Sequence, residues 1–143
     1  MPRVFSLGLI LSLILPVLLT TGCASAEAHD VKMAPMTMLP QEMQTAPTRV
    51  REAYQFAVAN PSALQNVPCY CGCGAMGHTS NYSCYVKNVN ADGKVVFDQH
   101  ALGCSLCVDI AQDVMRLTKE GKSPGDIHAS IVSTYSQFGP PNQ

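Results

Sequence analysis

Three thiols fall within five residues in Pro68-Cys69-Tyr70-Cys71-Gly72-Cys73-Gly74, and a pair follows in Cys104-Ser105-Leu106-Cys107. Cysteines at i, i+2 and i+4 of an extended segment project to one side, and Gly72 and Gly74 let the backbone curl around an ion. Cys104 and Cys107 open a predicted helix, whose N-terminus stabilises anions and lowers thiol pKa. Both are expected to be good thiolates. Thiolates serve two chemistries: ligation of Cu(I) or Zn²⁺, and disulfide exchange.

Cys84 stands alone between the two groups. His78, in the Gly-flanked GAMGHTS, and His100, just ahead of Cys104, are candidate ligands or neighbours, and Met76 is a soft donor near Cys73. Together these exceed what one tetrahedral ion requires. Either two ions share bridging thiolates, or some cysteines pair as a disulfide. Exported proteins ordinarily oxidise their cysteines, yet a Cys-x-Cys bridge closes a tiny ring and gains little loop entropy. The spacing therefore favours a metal, with Cys71, Cys73, Cys104 and Cys107 as central ligands. Cys69, Cys84 and His78 would be further ligands or a disulfide.

The elements that must position these groups are legible in the periodicity. Residues 48–59 form a helical pattern with Val50, Tyr54 and Ala57 on one face, ended by Asn60-Pro61. Residues 82–89 and 95–98 are β-prone runs joined by Asn90-Ala91-Asp92-Gly93, a hairpin signal. From Cys104 to Glu120, Leu106, Ile110, Val114 and Leu117 recur at helical spacing, and Cys107 shares their stripe, so it is expected to point inward. Gly121 ends that helix, and Ser123-Pro124-Gly125-Asp126 starts another. Ile127, Ile131 and Tyr135, with Phe138 beyond, supply its buried face. His128 is expected to be exposed. Asp109 and Asp113 lie on the solvated side, and no Ser/His/Asp order, phosphate loop or carboxylate pair is present.

The fold expected is a small α+β domain, mostly helical, over residues 47–138, with a Cys-rich loop, a short β-hairpin and a C-terminal helical pair. Residues 139–143 form a tail. The chain has 143 residues, a formal net charge of −1 and only 13% charged residues, which argues against nucleic acid or a polybasic membrane surface as partner. Residues 4–19 are an apolar run behind Arg3, as in a signal peptide spanning residues 1–22. The following Leu-Thr-Thr-Gly-Cys resembles a lipobox, which would lipidate Cys23 and anchor an exported protein on the extracytoplasmic face. Ala24-Ser25-Ala26 offers ordinary cleavage and a soluble product instead. Residues 23–46 carry scattered Pro and no apolar face, and are expected to be a flexible tether. Its Met33, Met36, Met38 and Met43, near His29, are soft donors that could capture copper.

PCYCGCGAMGH, the later Cys84 and DQHALGCSLCVDIAQDVMRLTKEGKS resemble the bacterial PCYCGC-motif lipoprotein family over residues 68–138. The resemblance implies metal-binding cysteines and no defined activity. The C-x-x-C with DIAQDVMRL, GKS and YSQFGPP is also similar to the membrane-anchored thiol reductases of cytochrome c maturation, which implies a redox pair. The reading reached is a soft-metal binding protein, copper favoured and zinc possible, in storage, delivery or tolerance, rather than an enzyme. The alternative is a thiol-disulfide oxidoreductase in which Cys104 attacks and Cys107 resolves. A third is a disulfide-stapled lipoprotein that contacts a protein partner.

Overall fold

The computed structural model describes residues 29–142. The expected signal peptide, Cys23 and both cleavage positions lie outside the described residues. The elements are α1 (Gln41–Gln44), α2 (Thr48–Ala59), α3 (Pro61–Gln65), β1 (Val86–Val89), β2 (Val95–Phe97), α4 (His100–Gly103), α5 (Ser105–Lys119) and α6 (Pro124–Tyr135). This is the expected α+β architecture: one mostly helical domain with a short hairpin and a C-terminal helix pair.

Helix α5 is the central element because its apolar stripe is wide. Ile110, Ala111, Val114, Met115 and Leu117 are buried together with Cys107, and the helix packs on α2 and α6. It stops where Gly121 takes φ 72°, a left-handed conformation that costs glycine little. The amides of Gly121 and Lys122 then reach back to the carbonyls of Thr118 and Leu117 at 3.0 and 3.1 Å, satisfying end groups the helix leaves unpaired. Ser123 caps α6 by accepting from the Asp126 amide at 3.1 Å. Ile127, Ile131 and Tyr135 are buried. Phe138 is not: the chain leaves the helix in a 3₁₀ turn, Ser136–Phe138, and its ring is 59% exposed.

Strands β1 and β2 pair antiparallel, with Val86 opposite Phe97 and Val89 opposite Val95. The first strand is shorter than its β-prone run, because residues 81–84 form a 3₁₀ turn that buries Asn81 beneath α5. Cys84 accordingly ends a turn and does not lie on a strand. Beyond the paired residues, the Asp98 amide donates to the Tyr85 carbonyl at 2.9 Å. The hairpin thus brings Cys84 and Asp98 to the same end. Tyr54 of α2 braces that end: its hydroxyl donates to the Asp98 carbonyl at 2.8 Å, and its ring meets Tyr85 edge to face with centroids 5.0 Å apart.

The segment expected to be a tether differs from that reading over its described part. Val31, Ala34, Leu39 and Met43 are buried, Met43 completely. Backbone bonds join His29 to Lys119 and Ala34 to Gln55 at 2.9 and 3.0 Å, while Gln55 Nε2 donates to the Ala34 carbonyl at 2.7 Å. The apolar residues are too irregularly spaced to form a periodic face, yet Val31, Leu39 and Met43 join the buried core. Met43 is core, not an available thioether, whereas Met33 and Met38 are exposed. Met43→Ala is expected to cost about 2–5 kcal/mol in urea unfolding, the usual range for emptying a packed Met site; a loss below about 0.5 kcal/mol would show that this segment contributes no core.

Candidate metal centre

Three segments deliver four sulfurs to one place. Cys107 projects inward from the first turn of α5, Cys84 comes from the turn before β1, and Cys69 and Cys71 come from the loop after α3. The Cys107 sulfur lies 3.4 Å from Cys69 Sγ and 3.3 Å from Cys84 Sγ, and Cys84 Sγ is 3.7 Å from Cys69 Sγ. These three side chains are wholly buried. Cys71 completes the group, with all four sulfurs within 4.8 Å of one another. A tetrahedral ion about 2.3 Å from each thiolate sets its sulfurs about 3.8 Å apart. The observed edges are close to that.

The loop that carries PCYCGC is not an extended strand with its sulfurs on one side. It turns at Gly72, where φ is 75°, so Cys69 and Cys73 face different neighbours. Cys73 Sγ lies 3.3 Å from His100 Nε2, and Cys71, Cys73, His78 and His100 form a second group of mutually close ligand atoms. A third group contains His100, Cys104 and Cys107, with the Cys104 and Cys107 sulfurs 3.2 Å apart. All seven sequence-predicted ligands therefore converge, but in a different partition. Cys73 and Cys104 lie outside the buried four-sulfur set, while Cys69 and Cys84 lie within it. All six cysteines among the described residues are free.

Hydrogen bonds orient the set. Asn81 Nδ2 donates to the Cys107 carbonyl at 3.1 Å and approaches Cys69 Sγ at 3.8 Å. Tyr85 Oη donates to that same carbonyl at 2.8 Å. Asn142 donates twice, from its backbone to the Cys69 carbonyl at 2.8 Å and from Nδ2 to Cys71 Sγ at 3.3 Å. Asp98 holds both histidines: Oδ2 lies 3.3 Å from His78 Nε2, and Oδ1 accepts from the His100 amide at 2.8 Å. The two imidazoles meet edge to face with centroids 4.8 Å apart.

These supporting residues were missed by sequence reasoning. Asp98, two positions before His100, carried a usable signal, since a ligating histidine ordinarily pairs its other nitrogen with a carboxylate or carbonyl. Asn142 carried none; its place in the expected tail concealed it. His128 is exposed, as expected.

The electrostatics overturn one expectation. The helix N-terminus was expected to make Cys107 a ready thiolate, but its thiol is pushed well up by donating to Cys69 and Cys84, and by burial. The negative charge settles instead on Cys69, held far below the usual thiol range by hydrogen bonds from Cys107 and Cys84 and by the Cys71 amide, against the opposing effect of burial. For Cys84, donation from Cys107 lowers the pKa, but its own bond to Cys69 and burial outweigh that, and the net direction is up. Cys73 is pushed up to about 11, by burial first and then by its hydrogen bond with Cys71. Among these three buried sulfurs the charged form is thus favoured at Cys69, where its neighbours' S–H groups solvate it, the low-dielectric solution to crowding ionisable sulfurs.

The fold and the centre define a small, mostly helical domain built around a Cys/His cluster able to coordinate a metal ion. Residues 14–143 match the family described as "Protein of unknown function with PCYCGC motif", and the chain belongs to that family. It matches none of the curated proteins and none of the solved structures with which it was compared. Among the described residues no helix is long and apolar enough to cross a membrane.

Because Cys84 and Cys107 are protonated at neutral pH, an ion entering the four-sulfur set must expel at least their two protons. Apparent affinity should therefore rise with pH, by about a hundredfold per unit near pH 7. Competition against a metal buffer of known strength between pH 6.5 and 8 checks this, and a slope below about tenfold per unit would contradict it.

Proposed function

We propose that this protein is exported, held on the extracytoplasmic face of a membrane by a lipid on Cys23, and binds a soft metal ion for storage, delivery or tolerance. Copper(I) is the favoured ion, with zinc second. The observation that carries the reading is the triangle of buried sulfurs from Cys69, Cys84 and Cys107, spaced at 3.3 to 3.7 Å, with Cys71 within reach. Burying ionisable thiols against one another has little packing rationale when an aliphatic residue would fill the space. A thiolate-bound ion supplies one, since it converts like-charge repulsion into ligation.

Copper is favoured because the donors are soft and overlap, and Cu(I) accepts shared thiolates in low coordination numbers. Exposed thioethers strengthen the case: Met76, 67% exposed, flanks a depression that also borders His78 and Asp98. The reading assigns no catalytic residue.

A rival remains physically coherent. Cys104 and Cys107 lie 3.2 Å apart, and half-buried Cys104 could attack a substrate disulfide with Cys107 resolving. Against it, the Cys107 sulfur lies equally close to Cys84, so its geometry is not specialised for Cys104.

Native mass spectrometry of protein purified from its own compartment, with elemental analysis and free-thiol counting, separates these readings. Bound copper or zinc with six reduced cysteines is the expected result. Metal-free protein with one exchangeable Cys104–Cys107 disulfide would establish the rival, and three inert disulfides without metal would sink both. The same spectrum reads the N-terminus: an acylated Cys23 is expected, whereas an unmodified product starting at Glu27 removes the anchor.

A further inference from the structure

We infer that the centre holds two inequivalent ions, the second one bound by Cys71, Cys73, His78 and His100 and joined to the first through the Cys71 thiolate. This rests on the metal-binding reading above and extends it. The two ligand groups share Cys71 as a common member. A thiolate sulfur has the lone pairs to bridge two soft ions, and two thiolates with two imidazoles form a donor set suited to copper or zinc.

An observation independent of that clustering points to an ion in the outer group. His78 is only 3% exposed, and its Nδ1 is buried without a hydrogen-bond partner. An unpaired buried polar atom of this kind is costly. Its other nitrogen, Nε2, lies 3.3 Å from Asp98 Oδ2. On that hydrogen-bond network Nε2 carries the proton, and the buried Nδ1 lone pair is left free to accept an ion. A carboxylate behind a ligating imidazole fixes the tautomer and raises its basicity. Asp98 is therefore a positioning residue that serves His78 through its side chain and sets the start of α4, which carries His100, through the His100 amide.

The two sites differ in access. Cys69, Cys84 and Cys107 are fully buried, whereas Cys71, Cys73 and His100 are each partly exposed. Depressions border both sides of the outer set, one at Cys71 and Asn142 and one at Met76 and His78. The outer ion is consequently the exchangeable one, and the inner ion is retained. Loading it displaces the Cys73 proton to solvent.

The test titrates the reduced full-length chain anaerobically with Cu(I), removes loosely held metal with a weak chelator, and counts ions by native mass spectrometry. Wild type is expected to hold two ions, and Cys73→Ser and His78→Ala to hold one each, with metal-free circular dichroism unchanged. Asp98→Asn is expected to weaken only the second ion, by about 10- to 100-fold. One ion in wild type, or a Cys73→Ser protein with the wild-type count, overturns the second site while leaving the metal-binding reading intact. Loss of both ions from folded Cys73→Ser also overturns it, since the sulfurs would then form one indivisible cluster. If His78→Ala fails to fold, Cys73→Ser and Asp98→Asn decide between these outcomes. No ion in wild type overturns the underlying reading itself.

Discussion

Three sulfurs crowd within 3.4 Å of the Cys107 sulfur, those of Cys69, Cys84 and Cys104, and the fold is arranged to permit it. Cys107 occupies the first turn of α5, so its position is fixed by the longest of the described helices and the packing beneath it. Everything else approaches. The loop after α3 folds back to bring Cys69, and the turn ahead of β1 brings Cys84. Such convergence in a domain of this size consumes core volume that would otherwise hold aliphatic side chains, and small domains have little to spare. A bound ion would restore the deficit, because ligation energy becomes folding energy when the unfolded chain has no formed site.

Polar groups complete the arrangement where sulfur cannot. Asn81 and Tyr85 both donate to the Cys107 carbonyl, which ties the turn ahead of β1 to the first turn of α5. Asn142 ties the C-terminal strap to Cys69 and Cys71. These buried donors do not ligate. They hold the loop and the turn before β1 in place against α5.

How much was legible follows from where the signals lie. The helical stripe of α5, the cap at Ser123 and the Asp-Gly hairpin are local patterns, and the structure contains them with small shifts of boundary. The ligand types were legible for the same reason, since a Cys-x-Cys-x-Cys run has few other uses. The partition among the ligands was not, because it depends on a turn at Gly72 and on which residues meet across distances of fifteen to thirty-eight positions. Met43 and Leu39 were misread because isolated apolar residues between prolines carry no periodicity. Cys107 was misjudged electrostatically because the helix N-terminus is one influence among several, and contact with other sulfurs outweighs it.

The early docking of the chain has a consequence for how the protein would be presented. His29 is bonded to Lys119, at the C-terminal end of α5. Roughly six residues separate it from Cys23, a reach of at most about 22 Å even if fully extended. If Cys23 carries a lipid, as proposed, the C-terminal end of α5 would be moored within about that distance of the bilayer. Cys107 lies about 18 Å along the axis toward the opposite end. The ligand cluster would then lie at the end of α5 remote from that attachment point.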